Sequence, residues 1–255
     1  MKKIKALLID LDGTIYQNEE LIKNTLSTIK ELEKQKIQYR FITNSTTKSK
    51  KSICVYLDSL GLTVNESRIC TTWHAASTYC FNNNISNVKI LTLAKSIESD
   101  LNGLNLVNSD PEAIILGDLG HKFNYQILND IFLDLLNGAE LIALHKNRYW
   151  LNNERIVLDL GPFVSLLEYS ANKNAIIIGK PNKEFFKIAS SDFNLSNSHI
   201  AVIGDDIDAD VKGAQDANMI GILVKTGKYI EEEIKKSNVN PNYIIDSFSH
   251  ILDYL

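Results

Sequence analysis

Asp10 and Asp12 stand one residue apart, directly after an apolar run at residues 4–9 and directly before Gly13 and Thr14. In extended backbone, residues i and i+2 point to the same face, so the two carboxylates are expected to share one small volume. Like charges at that range raise each other's pKa unless a cation intervenes, which points to a bound metal and a reaction. Gly13 lets the chain turn sharply and approach a ligand, and Thr14 adds a hydroxyl that can cap the next element of the chain.

Three more polar groups come directly after apolar runs. Thr43-Asn44-Ser45-Thr46 comes after residues 37–42, Lys180 sits in Gly179-Lys180-Pro181 after 175–178, and Asp205 with Asp206, Asp208 and Asp210 comes after 200–203. In a parallel sheet these strand ends lie on one edge, where residues distant in sequence converge. Carboxylates suit a hard cation such as Mg²⁺, hydroxyls and backbone N–H groups cradle phosphate oxygens, and a lysine neutralises developing negative charge. The set has the parts of a phosphoryl-transfer site.

The elements that must position these residues can be read from periodicity. Leu21, Ile22, Leu26, Ile29 and Leu32 give a helical spacing over 21–34, and further helices are expected at 48–60, 72–81, 125–136, 162–170, from Pro181 to 189, and up to 217. Short apolar runs alternate with them, which predicts an α/β fold with a doubly wound parallel sheet. The polar run Asn82-Asn83-Asn84 marks a boundary, and the segment beyond it has its own strand and helix alternation. The expected organisation is a Rossmann-like core from 1–84 and 175–255, with an α/β domain inserted at 85–174.

Composition narrows the partners. A formal net charge of −4 gives no basic footprint for nucleic acid, and no apolar run reaches membrane-spanning length. A cytoplasmic protein is expected. Cys54, Cys70 and Cys80 have neither metal spacing nor an even count, so a disulfide framework is not expected. The acidic run 206–210 is no EF-hand, because Val211 and Ala217 stand where that loop needs glycine and glutamate. His145 and Lys146 come after the run 140–144 and are candidates for contacting substrate.

The ordered motifs DLDGT at 10–14, TNST at 43–46, the lysine of GKP at 180 and GDDIDAD at 204–210 resemble those of the haloacid dehalogenase (HAD) superfamily. An insertion between the second and third motifs resembles its type IIA group, in which an α/β cap is inserted there. Segments such as Gly161-Pro162-Phe163 and Gly221 to Tyr229 are similar to haloacid dehalogenase-like hydrolase domain-containing proteins and phospholysine phosphohistidine inorganic pyrophosphate phosphatases. Those groups carry serine where this chain has Asp12, so their substrate preferences transfer with that departure in view.

The resemblance implies a Mg²⁺-dependent phosphatase of a small phosphorylated substrate. It makes Asp10 the nucleophile and Asp12 the acid/base, and gives the metal to the carboxylates of Asp10 and Asp205 and the carbonyl of Asp12. Thr43, Asn44, Ser45 and Lys180 would bind phosphate, with Asp206 and Asp210 orienting metal waters or Lys180. A homodimer is compatible with the likeness. Two alternatives stay open: a non-catalytic binding module that keeps the fold, and a hydrolase specific for pyrophosphate or phosphoamidates.

Overall fold

The apolar run at the N-terminus becomes the strand Ala6–Asp10, buried along its whole length. It lies inside a six-stranded sheet in the order Tyr243–Ile245, Ile220–Val224, Ile200–Gly204, Ala6–Asp10, Gln38–Thr43, Ile69–Thr71. The first five of these strands pair in parallel. Strands covered on both faces read as continuous rather than alternating apolar runs, as ALLID, IAVIG and IGILV do. Leu7, Ile9, Phe41, Ile203 and Ile222 pack in one core with Ile29 and Leu32 of the helix Thr25–Lys34 and Ile53 and Leu57 of the helix Lys50–Ser59. Truncating a buried ring such as Phe41 to alanine costs about 3–5 kcal/mol in such a core.

The computed structural model describes residues 4–101, 103–152 and 155–255. The chain divides into two compact units, Met1–Thr43 with Lys51–Cys70 and Lys180–Leu255, and Asn44–Lys50 with Thr71–Gly179. The second unit carries a five-stranded sheet in the order Ile176–Ile177, Glu140–Ala143, Ala113–Leu116, Asn87–Leu91, Asn105–Leu106. Its pairs are parallel. The helices Tyr125–Leu136 and Leu160–Ala171 supply Ile131, Leu135, Val164 and Leu167 to its core. A separate antiparallel hairpin pairs Tyr149–Asn152 with Arg155–Leu158. No helix among the described residues is long and apolar enough to cross a membrane.

Several expectations change. The run 175–178, expected to return to the first sheet, instead pairs in the second, with Ile176 opposite Ile142 and Ile177 opposite Ala143. Both sheets are built from parallel pairs of apolar strands, so an apolar dipeptide carries no mark of which one it joins. Pro181 does not open a helix: the helix is Lys183–Ala189, capped by Asn182, whose side chain accepts from the Glu184 N–H. Pro162 lies inside the first turn of Leu160–Ala171, which Asp159 caps. The expected helix at 21–34 begins only at Thr25, because Glu20–Leu21 pairs with Tyr16–Gln17 in a short hairpin.

Candidate active site

The register of the first sheet sets three polar residues at one edge. Asp10 pairs with Ile42, so Thr43 lies one step beyond its neighbour; Ile9 pairs with Ile203, so Asp205 lies just past the end of the adjoining strand. Asp10, Lys180, Asp205 and Asp210 are 7%, 4%, 5% and 1% exposed, so four ionisable groups are withdrawn from water together. Isolated buried charge is costly, and each must find a partner.

Lys180 is the main partner. Its Nζ donates to Asp10 Oδ1 at 2.5 Å and to Asp210 Oδ1 at 2.6 Å. Thr14 Oγ1 donates to the other oxygen of Asp10 at 3.4 Å. Asp205 Oδ2 accepts from the Lys228 backbone N–H at 2.8 Å, and Asp210 Oδ2 accepts from the Asp206 N–H at 3.3 Å.

Among the described residues, Asp10, Asp205 and Asp210 form the acidic group whose ligand atoms all lie within 4.8 Å of one another. One ammonium faces three carboxylates, and the remaining negative charge is what a divalent cation would balance. An all-oxygen donor set suits a hard ion such as Mg²⁺.

The electrostatics fit that imbalance. Burial pushes the Asp10 carboxyl up; Lys180 pulls it back, Asp205 pushes it further, and it stays above its ordinary value. Burial, with Asp210 adding to it, pushes Asp205 up to about 6. Burial also pushes Asp210 up to about 7, against the pull of Lys180 and with Asp10 adding to the rise. For Lys180 burial favours the neutral form, but Asp10 and Asp210 outweigh it and hold the ammonium protonated.

The flanking residues are arranged differently. The backbone leaves the strand after Asp10 and turns at Gly13, whose φ is +77°. Asp12 is exposed and forms an isolated bridge with Tyr16. Thr43 ends its strand in the first unit, whereas Asn44 and Ser45 group with the second. Asp206 caps the π-helical turn Ile207–Lys212 by accepting from the Asp208 and Ala209 N–H groups, and its other oxygen accepts from Lys228 Nζ at 2.9 Å. Burial favours its neutral form, but Lys228 and the Ala209 N–H hold its carboxyl below the usual range. The π-helical turn replaces the first part of the helix expected up to 217 and points Asp210 back under the strand end.

His145 and Lys146 have partners within the second unit. Buried His145 places Nε2 3.6 Å from Asp159 Oδ1, and Lys146 Nζ lies 2.5 Å from Glu168 Oε2. Burial lowers the His145 pKa, against the opposing pull of Asp159 and Asp118.

Sequence reasoning missed Thr226, Gly227 and Lys228. Their signal was a further polar run, Lys225-Thr226-Gly227-Lys228, directly after the strand Ile220–Val224.

Comparison with known proteins agrees with this arrangement. A family model for haloacid dehalogenase-like hydrolases matches residues 7–106, and a HAD-hydrolase-like model matches 177–251. The chain is 36% identical to the haloacid dehalogenase-like hydrolase domain-containing protein 2 of Rattus norvegicus, across 99% of this chain and 96% of that protein. It is 28% identical to the human phospholysine phosphohistidine inorganic pyrophosphate phosphatase, across 99% and 94%. Its fold matches the p-nitrophenyl phosphatase from Archaeoglobus fulgidus with a TM-score of 0.90, at 23% identity, covering 99% of this chain and all 100% of that one.

Proposed function

This chain belongs to the haloacid dehalogenase-like hydrolases, in the type IIA group of that superfamily, and on that premise we propose that it is a Mg²⁺-dependent phosphatase acting through an aspartyl-phosphate at Asp10. Its substrate is a small phosphorylated molecule. In this reading the unit Met1–Thr43, Lys51–Cys70 and Lys180–Leu255 is the catalytic core, and the cap lies within Asn44–Lys50 and Thr71–Gly179.

The observation that carries the proposal is Lys180 Nζ held between Asp10 and Asp210, with Asp205 in the same buried acidic group. Asp10 and Asp205, with the backbone carbonyl of Asp12, would hold Mg²⁺, and Asp210 anchors Lys180. When bound, the ion offsets the carboxylate charge and polarises the phosphoryl oxygens.

A carboxylate oxygen of Asp10 attacks phosphorus, and the bond to the leaving oxygen breaks. The Asp12 carboxyl gives its proton to that oxygen. As a carboxylate, Asp12 then takes a proton from water while the water oxygen attacks phosphorus; phosphate leaves and Asp10 is restored. The Thr43 hydroxyl and the backbone N–H groups of Asn44 and Ser45 receive the phosphoryl oxygens. Lys180 stabilises the charge that builds on them. Asp12 suits a group that exchanges protons in both steps, because it is exposed outside the buried carboxylate set.

The name of the phospholysine phosphohistidine inorganic pyrophosphate phosphatase relative supports a narrower reading, hydrolysis of pyrophosphate or a phosphoamidate. A panel of phosphate monoesters, pyrophosphate and phosphoamidates, assayed with Mg²⁺ and with EDTA, tests both. Turnover that needs Mg²⁺ supports the phosphatase, and the preferred member of the panel sets the class. No turnover on any member, with Mg²⁺ present, contradicts it and favours a binding module.

A further inference from the structure

Asp205 is held by a loop that none of the four sequence motifs contains. Its Oδ2 accepts from the Lys228 backbone N–H at 2.8 Å. A Cβ added to Gly227 would lie 2.0 Å from that same oxygen and 2.7 Å from the Gly13 Cα. A Cβ on Gly13 would meet the oxygen at 2.1 Å from the other side. The two glycines therefore pinch the carboxylate between two backbones, and both adopt positive φ, +77° at Gly13 and +61° at Gly227. Thr226 Oγ1 ties the two segments together by donating to the Gly13 carbonyl at 2.5 Å.

We infer that Thr226, Gly227 and Lys228 are positioning residues that hold Asp205 in the orientation in which it takes the divalent cation. The inference rests on the reading of Asp205 as a metal ligand. The loop fixes one carboxylate oxygen with an N–H and leaves the other for the ion. A carboxylate fixed in this way loses little freedom when the ion binds, so the loop acts on metal affinity. A purely structural loop would change only stability.

The test is Mg²⁺ binding to the full chain without substrate, measured by isothermal titration calorimetry, with thermal melting of each variant alongside. Gly227→Ala is expected to weaken Mg²⁺ binding roughly 10- to 100-fold. Thr226→Val, which removes one hydrogen bond, should weaken it on the order of threefold, and Thr226→Ser, which keeps the hydroxyl, should restore the wild-type value. Lys225→Ala is the control, because Lys225 pairs with Asp246 on the surface.

Folded Gly227→Ala and Thr226→Val proteins with wild-type Mg²⁺ affinity overturn the inference, even if both melt earlier. If Gly227→Ala does not fold, the contrast between valine and serine at 226 decides it. A wild-type chain that takes up no Mg²⁺ overturns the metal site itself and the clamp with it. A wild-type chain that binds Mg²⁺ while the variants bind equally well overturns the clamp alone.

Discussion

Lys180 Nζ lies 2.5 Å from Asp10 Oδ1 and 2.6 Å from Asp210 Oδ1, so one buried ammonium joins the end of the central strand to the π-helical turn after a neighbouring strand. Two elements of the candidate site are thus held together through one side chain.

Replacing Lys180 with methionine removes the shared cation and leaves buried carboxylates facing one another. The expected loss of stability is about 3–5 kcal/mol in EDTA, read from urea denaturation. Added Mg²⁺ should return part of it, because the ion supplies the missing positive charge. A variant as stable as wild type in EDTA would show that the ammonium is not needed to balance these acids.

The same acids give a pH dependence. Asp205 and Asp210 titrate near 6 and 7 in the folded chain, against about 4 for an aspartate in the unfolded chain. The folded state therefore binds more protons, and the stability from the neutral acids, fully present below about pH 4, is lost as pH rises to about 7. Without metal, the urea midpoint should fall over that interval. The stabilisation given by Mg²⁺ should grow over it, because the ion binds the ionised carboxylates. A midpoint that rises with pH in EDTA would contradict these shifts.

Asp12→Asn separates acid catalysis from structure. Asp12 is exposed and outside the buried acidic group, so stability should change by less than about 0.5 kcal/mol. Turnover of an alkyl phosphate should fall by roughly 10²- to 10⁴-fold, the usual worth of a positioned acid or base. The loss should be smaller with a 4-nitrophenyl ester, whose leaving group needs little protonation. Equal losses on both substrates would remove the acid role.

Asp159 offers a test in the second unit. It caps the helix Leu160–Ala171 through the Leu160 N–H at 2.8 Å and lies beside His145. Asp159→Ala should cost about 1–2 kcal/mol by thermal melting, the range of a lost helix cap. An unchanged melting temperature would show that the cap carries no stability.

Much of the site was legible because strand ends are punctuated in sequence. The runs before Asp10, Thr43 and Asp205 end where apolar residues stop, and the parallel register then lines those residues up. Lys180 was legible as a residue but not by its route, since Ile176–Ile177 joins the second sheet and apolar composition does not distinguish two parallel sheets. Period-two geometry predicted Asp12 beside Asp10; of that pair Asp10 is buried and Asp12 exposed, a difference in burial that the spacing of two acids does not carry. The Thr226–Lys228 loop carried the same signal, a polar run after the strand Ile220–Val224, but its hold on Asp205 is made by a backbone N–H and the close approach of two glycine backbones, so no side chain marked it as part of the site.

The central claim is that Asp10 is the nucleophile, and Asp10→Asn tests it most directly. Its turnover with Mg²⁺ should be measured on the best substrate of the panel, with circular dichroism to establish that the fold is kept. The account predicts a folded protein whose kcat falls by at least about a thousandfold, because an amide oxygen cannot replace the attacking carboxylate. A folded Asp10→Asn protein that keeps near wild-type turnover would contradict it.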